Sequence, residues 1–281
     1  MIKKMLATLL AMATVFSMTA CGGGKQEAPA AKNPPAQESA EKDTSAASKF
    51  SEKYTWSLVT TYATNTPVVN GYFLFAEKLS EYTDGAVTLN VFPNGQLMNE
   101  NDSFLGLKSG DVEFAGYGPT PYNLFVPEYG FVFAPFLIPD YESFQKLYSS
   151  DLLEESKKIL RTKHNTRDLA GMAYRGYRNM SSNKPIKSVE DLKNLKLRMN
   201  DNILWSDTWN SMGAISIPIS LGELYTSIQN GAVEASEGPW EQIAGIHLEE
   251  VQKYAVLTKH YSEIAGIWMA NDLYESLPEN Y

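Results

Sequence analysis

A chain of 281 residues, 43 % hydrophobic and 20 % charged, can bury the core of one large domain or of two lobes. Its formal net charge is −9, and no basic run interrupts the acidic background, which excludes a nucleic-acid binder. The single cysteine, Cys21, excludes an intrachain disulfide and any cysteine-based zinc cluster.

Residues 1–20 read as a signal peptide. Lys3 and Lys4 form the basic start, an apolar run follows, and small residues precede Cys21. "MTAC" has the form of a lipoprotein cleavage site, so Cys21 is the expected lipidation point. The competing reading is an ordinary secretory peptide or a short membrane anchor. Residues 21–50 are rich in Gly, Ala, Pro, Ser and charge, with almost no large apolar residue before Phe50. Such a segment cannot bury a core and reads as a disordered tether reaching roughly 30 Å. These features place the protein outside the cytoplasm, lipid-anchored beside a membrane.

From Tyr54 the pattern changes. "YTWSLVTTY" reads as a strand. "PVVNGYFLFAEKLSEYT" reads as a helix with Val69, Phe73, Ala76 and Leu79 on one face. "AVTLNVF" alternates as a second strand, completing a strand–helix–strand unit. "NENDSFLGLKSG" is a helix closing on Gly110, and "DVEFAGYG" is a short strand. "DYESFQKLYSSDLLEESKKILRTK" reads as one long helix, and "DLAGMAYRGYRNM" as a strand. "LKLRMN" alternates with period two, which puts Arg198 on the polar face. "NILWSDTWNSMG" is helical, with Trp205 and Trp209 as a core stripe. "SLGELYTSIQNGAVEASEG" reads as a helix closed by Gly231 and then a strand, and "YAVLTKHY" as a further strand. The pattern predicts an α/β architecture of two lobes.

Catalytic signatures are absent: the chain has no G-x-S-x-G, H-E-x-x-H or P-loop. His164, His247 and His260 lack metal spacing. Gly116 and Gly118 form a G-x-G, but Pro121 stands where a dinucleotide fingerprint needs its third glycine. "NENDS" approaches calcium-ligand spacing without the glycine and terminal glutamate of an EF-hand. No cofactor or metal is called for. Arg175, Arg178 and Arg198 remain. An arginine fork matches a carboxylate with two charge-assisted hydrogen bonds, and ligands of open α/β sheets bind beyond strand C-termini. Surface salt bridges to the abundant acids are the alternative reading of all three.

Four blocks carry a family resemblance: "AEKLSEYTDGAVTLNVFPNGQL", "RNMSSNKPIKSVEDLKNLKLRMN", "MGAISIPISLGELYTSIQNGAVEASEGPWEQI" and "EEVQKYAVLTKHY". In order and spacing they resemble the DctP-type solute-binding proteins of TRAP transporters, over nearly everything from Tyr54 onward. The resemblance implies a periplasmic-binding-protein-like fold of type II character. Its two α/β lobes are joined by hinge segments, with a ligand cleft between them. It places lobe I at 51–175, completed by 264–281 and by a further C-terminal segment this chain lacks, and lobe II at 176–263. It implies that Arg198 pairs with a ligand carboxylate and that Arg178 is a second cleft arginine. Tyr62, Glu100, Tyr117 and Leu221 fall where members touch ligand, and Glu237 and Trp240 flank Gly238 at a further contact. Asn200, Asn194 and Gly238 depart from the family's usual proline, glycine and asparagine, which points away from a sialic-acid-like ligand and toward a more apolar ligand body.

The implied function is capture of a small organic acid and its delivery to a permease of small and large membrane subunits, with no enzymatic activity. Two alternatives belong to other classes. One is a sensor presenting ligand to a membrane kinase. The other is an extracytoplasmic hydrolase using Glu100 and Glu237 as paired carboxylates.

Overall fold

The computed structural model describes residues 49–169 and 172–281. The expected signal peptide, the lipidated Cys21 and all but the last two residues of the expected tether lie outside the described residues.

In chain order, β1 (Tyr54–Val59), α1 (Pro67–Tyr82), β2 (Val87–Phe92), α2 (Glu100–Ser109) and β3 (Phe114–Tyr117) open the fold. Four helices follow: α3 (Thr120–Phe125), α4 (Pro127–Gly130), α5 (Tyr141–Tyr148) and α6 (Asp151–His164). Next come β4 (Thr166–Asp168), β5 (Ala173–Ser182), β6 (Lys196–Met199), α7 (Ile203–Ser211) and β7 (Ile215–Pro218). The last elements are α8 (Leu224–Gln229), β8 (Ala235–Pro239), α9 (Trp240–Gly245), β9 (Tyr254–Ala270) and α10 (Asn271–Ser276).

Among the described residues the sheet runs β2-β1-β3-β9-β5-β8-β6-β7, with β4 also on β9. Its two ends are parallel: β1 pairs with β2 and β3, and β6 pairs with β7 and β8. The centre is antiparallel, because β9 lies against β3, β4 and β5, and β5 lies against β8. The result is two α/β halves bridged by β5 and the 17-residue β9. This is the two-lobed periplasmic-binding-protein architecture expected from the strand–helix alternation.

Several elements differ from expectation for identifiable reasons. On α1 Val69 is buried as expected, but the other buried position is Tyr72, whereas Phe73 is 42 % exposed. Tyr72 is accommodated by Gly116 of β3, where a Cβ would stand 2.5 Å from the ring. That close approach accounts for the first glycine of the G-x-G. The expected long helix is two, α5 and α6. The Ser150 hydroxyl returns to the Leu147 carbonyl at 2.6 Å, and Lys157 Nζ donates to the Tyr148 carbonyl at 2.8 Å. These bonds occupy carbonyls at the end of α5, so the chain turns there. The strand expected over 254–261 runs on to Ala270, since "SEIAGIWMA" is nearly all buried. β7 and the helices of 120–130 carry too short an apolar pattern to be read from sequence.

One core unites both halves, with Trp268 packed between Phe104 and Tyr122. A smaller cluster of Leu224, Ile228, Val233, Ile243 and Leu248 holds α8 and α9. No helix among the described residues is long and apolar enough to cross a membrane.

Candidate functional site

The C-terminal ends of β1, β3, β6 and β8 converge on one cleft, the position the geometry of parallel α/β units dictates. Its inner cavity and mouth together span about 610 Å³ of empty space, and it opens into a wider groove between α2–α4 and the β6–α7 and β7–α8 connections.

Arg198 is the third residue of β6, an interior strand between β7 and β8. Only 3 % of the residue is exposed. The alternation in "LKLRMN" is real at Lys196 and Leu197, but the polar side at Arg198 faces the cavity rather than bulk solvent. Its Nε donates to the Ile219 carbonyl at 2.8 Å. Among the described residues, neither Nη atom has a partner and no carboxylate lies within ion-pair distance. Burial pulls its pKa from 12.5 down to about 10, with the Glu237 charge opposing the fall and Arg178 adding to it. The guanidinium is therefore charged at neutral pH, buried and without a counter-ion.

Arg178 lines the same cavity but is already committed. Its Nε and Nη2 grip Glu237 at 2.5 and 2.6 Å, and Nη1 donates to Glu263 at 2.9 Å. Glu237 is completely enclosed, with His260 Nε2 3.0 Å from the same Oε2 that Arg178 Nε holds. Burial would raise the Glu237 pKa, but Arg178 and His260 outweigh it and hold the carboxyl at about 2. Arg175 extends this network by bonding Glu241 and Glu263 while covering the Tyr62 ring, 3.9 Å from its centroid.

Tyr62, in the loop after β1, lines the cavity, and its hydroxyl accepts the Gly118 N–H at 3.2 Å. Glu100 opens α2. Its half-buried carboxylate accepts from Thr120, and burial raises its pKa. Leu221 lies at the turn after β7 and forms an apolar wall. The structure thus brings Arg198, Arg178, Tyr62, Glu100 and Leu221 together.

Three expected residues stand elsewhere. Tyr117 sits behind Tyr62 with its hydroxyl on Ser103 at 3.1 Å, because β3 turns it into the core. Glu237 is sealed beneath Arg178, so it does not pair with Glu100 across the cavity. Trp240, 37 % exposed, starts α9 and does not line the cavity.

Sequence reasoning missed the neutral polar wall: Thr120, Asn123, Asn200, Asn202 and Gln242. The Asn200 Oδ1 is buried without a partner among the described residues. The run "NDN" after Arg198 was the available signal. Trp205 belongs to both core and cavity, its Nε1 donating to the Phe133 carbonyl at 3.1 Å. These amides share the lining with Phe133, Trp205, Leu221 and Tyr261.

Two α/β halves around a cleft with an unpaired buried arginine define a two-lobed solute-binding fold. The sequence profile of the bacterial extracellular solute-binding protein family 7, DctP, matches residues 58–281, and the chain belongs to this family. A solute-binding protein of Roseobacter denitrificans is 32 % identical over 206 residues, covering 73 % of this chain and 63 % of the relative. The C4-dicarboxylate-binding periplasmic protein DctP of Rhodobacter capsulatus is 29 % identical over 205 residues, covering 70 % of this chain and 59 % of the relative. The chain therefore spans less than two thirds of the length of these curated relatives. A crystal structure of a TRAP periplasmic solute-binding protein from Roseobacter denitrificans with bound L-galactonate superposes with a TM-score of 0.77 at 29 % identity. That match covers 82 % of this chain and 76 % of the other.

Proposed function

We propose that this protein is the extracytoplasmic receptor of a TRAP transporter, capturing a small hydroxylated organic acid for delivery to the small and large permease subunits. The observation that carries this reading is Arg198, a charged fork buried at the cavity wall with both Nη groups unpartnered among the described residues. A carboxylate docking there would form two parallel hydrogen bonds and supply the missing counter-ion. The neutral amides and Thr120 around it suit hydroxyl groups. The Roseobacter denitrificans relative holds a hydroxylated acid.

Binding is completed by closure of lobes divided near 175/176 and 263/264, with β5 and β9 as the connections. Closure expels water and strengthens the ion pair. Lipidation at Cys21 would keep the receptor beside its permease. The hydrolase alternative loses its second carboxylate, because Glu237 is locked to Arg178 and outside the cavity.

The test is a thermal-shift and calorimetric screen of residues 50–281 against mono-, di- and hydroxylated carboxylates. An acid should raise the melting temperature, by about 2.7 kcal/mol of stability at a hundred times its dissociation constant. Arg198→Ala should weaken that acid about 30- to several-thousand-fold, and Arg198→Lys should recover only part. A cooperatively folded chain that takes no acid, or an R198A variant that binds as well as wild type, refutes the reading.

A further inference from the structure

Within the polar wall, Gly238 and Gln242 form a unit whose particular task the acid-capture reading leaves open. Gly238 is in β8, opposite Asn179 of β5, and Gln242 is four residues on, in the first turn of α9. The Gln242 side chain folds back over the glycine. A Cβ at position 238 would stand 2.6 Å from Gln242 Nε2. Gly238 lacks a positive φ, so its backbone would accept any residue; what it supplies is room for the amide. The same point lies 4.0 Å from Arg178 Nη2, which places Gln242 in the Arg178 corner of the cavity.

Gln242 is 6 % exposed and lines the cavity. Its side-chain amide has no hydrogen-bond partner among the described residues. A glutamine amide offers two donors and two acceptor sites, and here they are open to the cavity. A side chain kept only for packing would do better as methionine or leucine. The surroundings also select the partner. Arg178 is neutralised by Glu237 and Glu263, so this corner has no spare cation for a second carboxylate. Glu263 also lines the cavity and presents negative charge. An uncharged group able both to donate and to accept suits that environment, and a hydroxyl is such a group.

We infer that Gln242, admitted by Gly238, is a specificity-determining residue that reads a hydroxyl on the ligand body, so that the site prefers a polyhydroxylated monocarboxylate over a dicarboxylate. This rests on the receptor reading above, with Arg198 holding the carboxylate.

The experiment is calorimetry with three probes, L-galactonate, glycolate and succinate, on wild type, Gln242→Met and Gly238→Ala. Wild type should bind L-galactonate more tightly than succinate. Q242M should weaken L-galactonate about ten- to a hundred-fold and glycolate, which carries a single hydroxyl next to its carboxylate, much less. G238A should reproduce that selective loss by displacing the amide without removing it. If Q242M does not fold, G238A decides. Acids that bind wild type with succinate favoured, an L-galactonate affinity unchanged in both variants, or equal losses for L-galactonate and glycolate each overturn the inference while leaving the receptor reading intact. A wild type that takes none of the three probes overturns the inference, and the wider acid screen then judges the receptor reading separately.

Discussion

Arg198 is a buried charge with no ion-pair partner among the described residues, and that has a stability consequence separate from binding. A base whose folded-state pKa lies below its ordinary value destabilises the empty fold wherever it is protonated. Here that range is every pH below about 10. Arg198→Met should therefore stabilise the ligand-free protein, by about 1–4 kcal/mol, and abolish the acid-induced thermal shift. Urea melts of the apo forms measure the first effect. Glu237 behaves in the opposite sense. Its pKa is held at about 2 against an ordinary 4.5, so the stability it contributes is complete above 4.5 and is lost as pH falls toward 2. The amount is on the order of 3 kcal/mol. Melting temperature recorded from pH 5 to pH 2 should fall steeply in wild type. Glu237→Gln should start lower, with a flatter slope through that window.

At the scale of elements, the cavity walls depend on how short helices begin. Asn99 caps α2, its Oδ1 accepting the Asp102 N–H at 2.9 Å, and Glu100 is the first residue after the cap. Asn99→Ala should cost about 1 kcal/mol of stability and loosen Glu100, weakening the acid by less than R198A does. Denaturant midpoints and calorimetry check the two parts. The calcium-like look of "NENDS" is this cap in another guise. Caps and closers were legible because they act locally: Gly110, at φ 84°, ends α2 where the sequence placed its end. The α5–α6 break was not legible. It depends on Lys157 reaching the Tyr148 carbonyl, and two serines look the same inside a helix or between two.

At the scale of the molecule, β5 and β9 are the strands that bridge the two halves. Their pairing shifts register between Tyr174 and Gly176 and again between Arg178 and Met180. Gly176 at φ 90° and Lys259 at φ 44° lie in this bridge. Such irregular pairing is a natural place for two halves to rotate. Solution scattering should show a smaller radius of gyration when a bound acid is present, and no change for Arg198→Ala under the same conditions. A wild type with an acid bound and an unchanged radius would remove hinge closure from the mechanism.

The sequence by itself determined the α/β class, most helices and strands, and the two arginines that line the cavity, although Arg178 lies in the middle of β5 rather than at its end. These follow from local periodicity, capping and the order of family blocks, which a linear reading contains. It could not decide which polar residues face water and which face a cavity. "LKLRMN" alternates identically in either case, and only the position of β6 inside the sheet puts Arg198 out of solvent. Nor could it show that Arg178 is spent on Glu237 and Glu263, 59 and 85 residues away. Tyr117, Glu237 and Trp240 stand on the expected strands and turns but do not line the cavity. The division between occupied and unpaired charge, which gives Arg198 its place in the site, is a property of long-range contacts and was settled only by the tertiary structure.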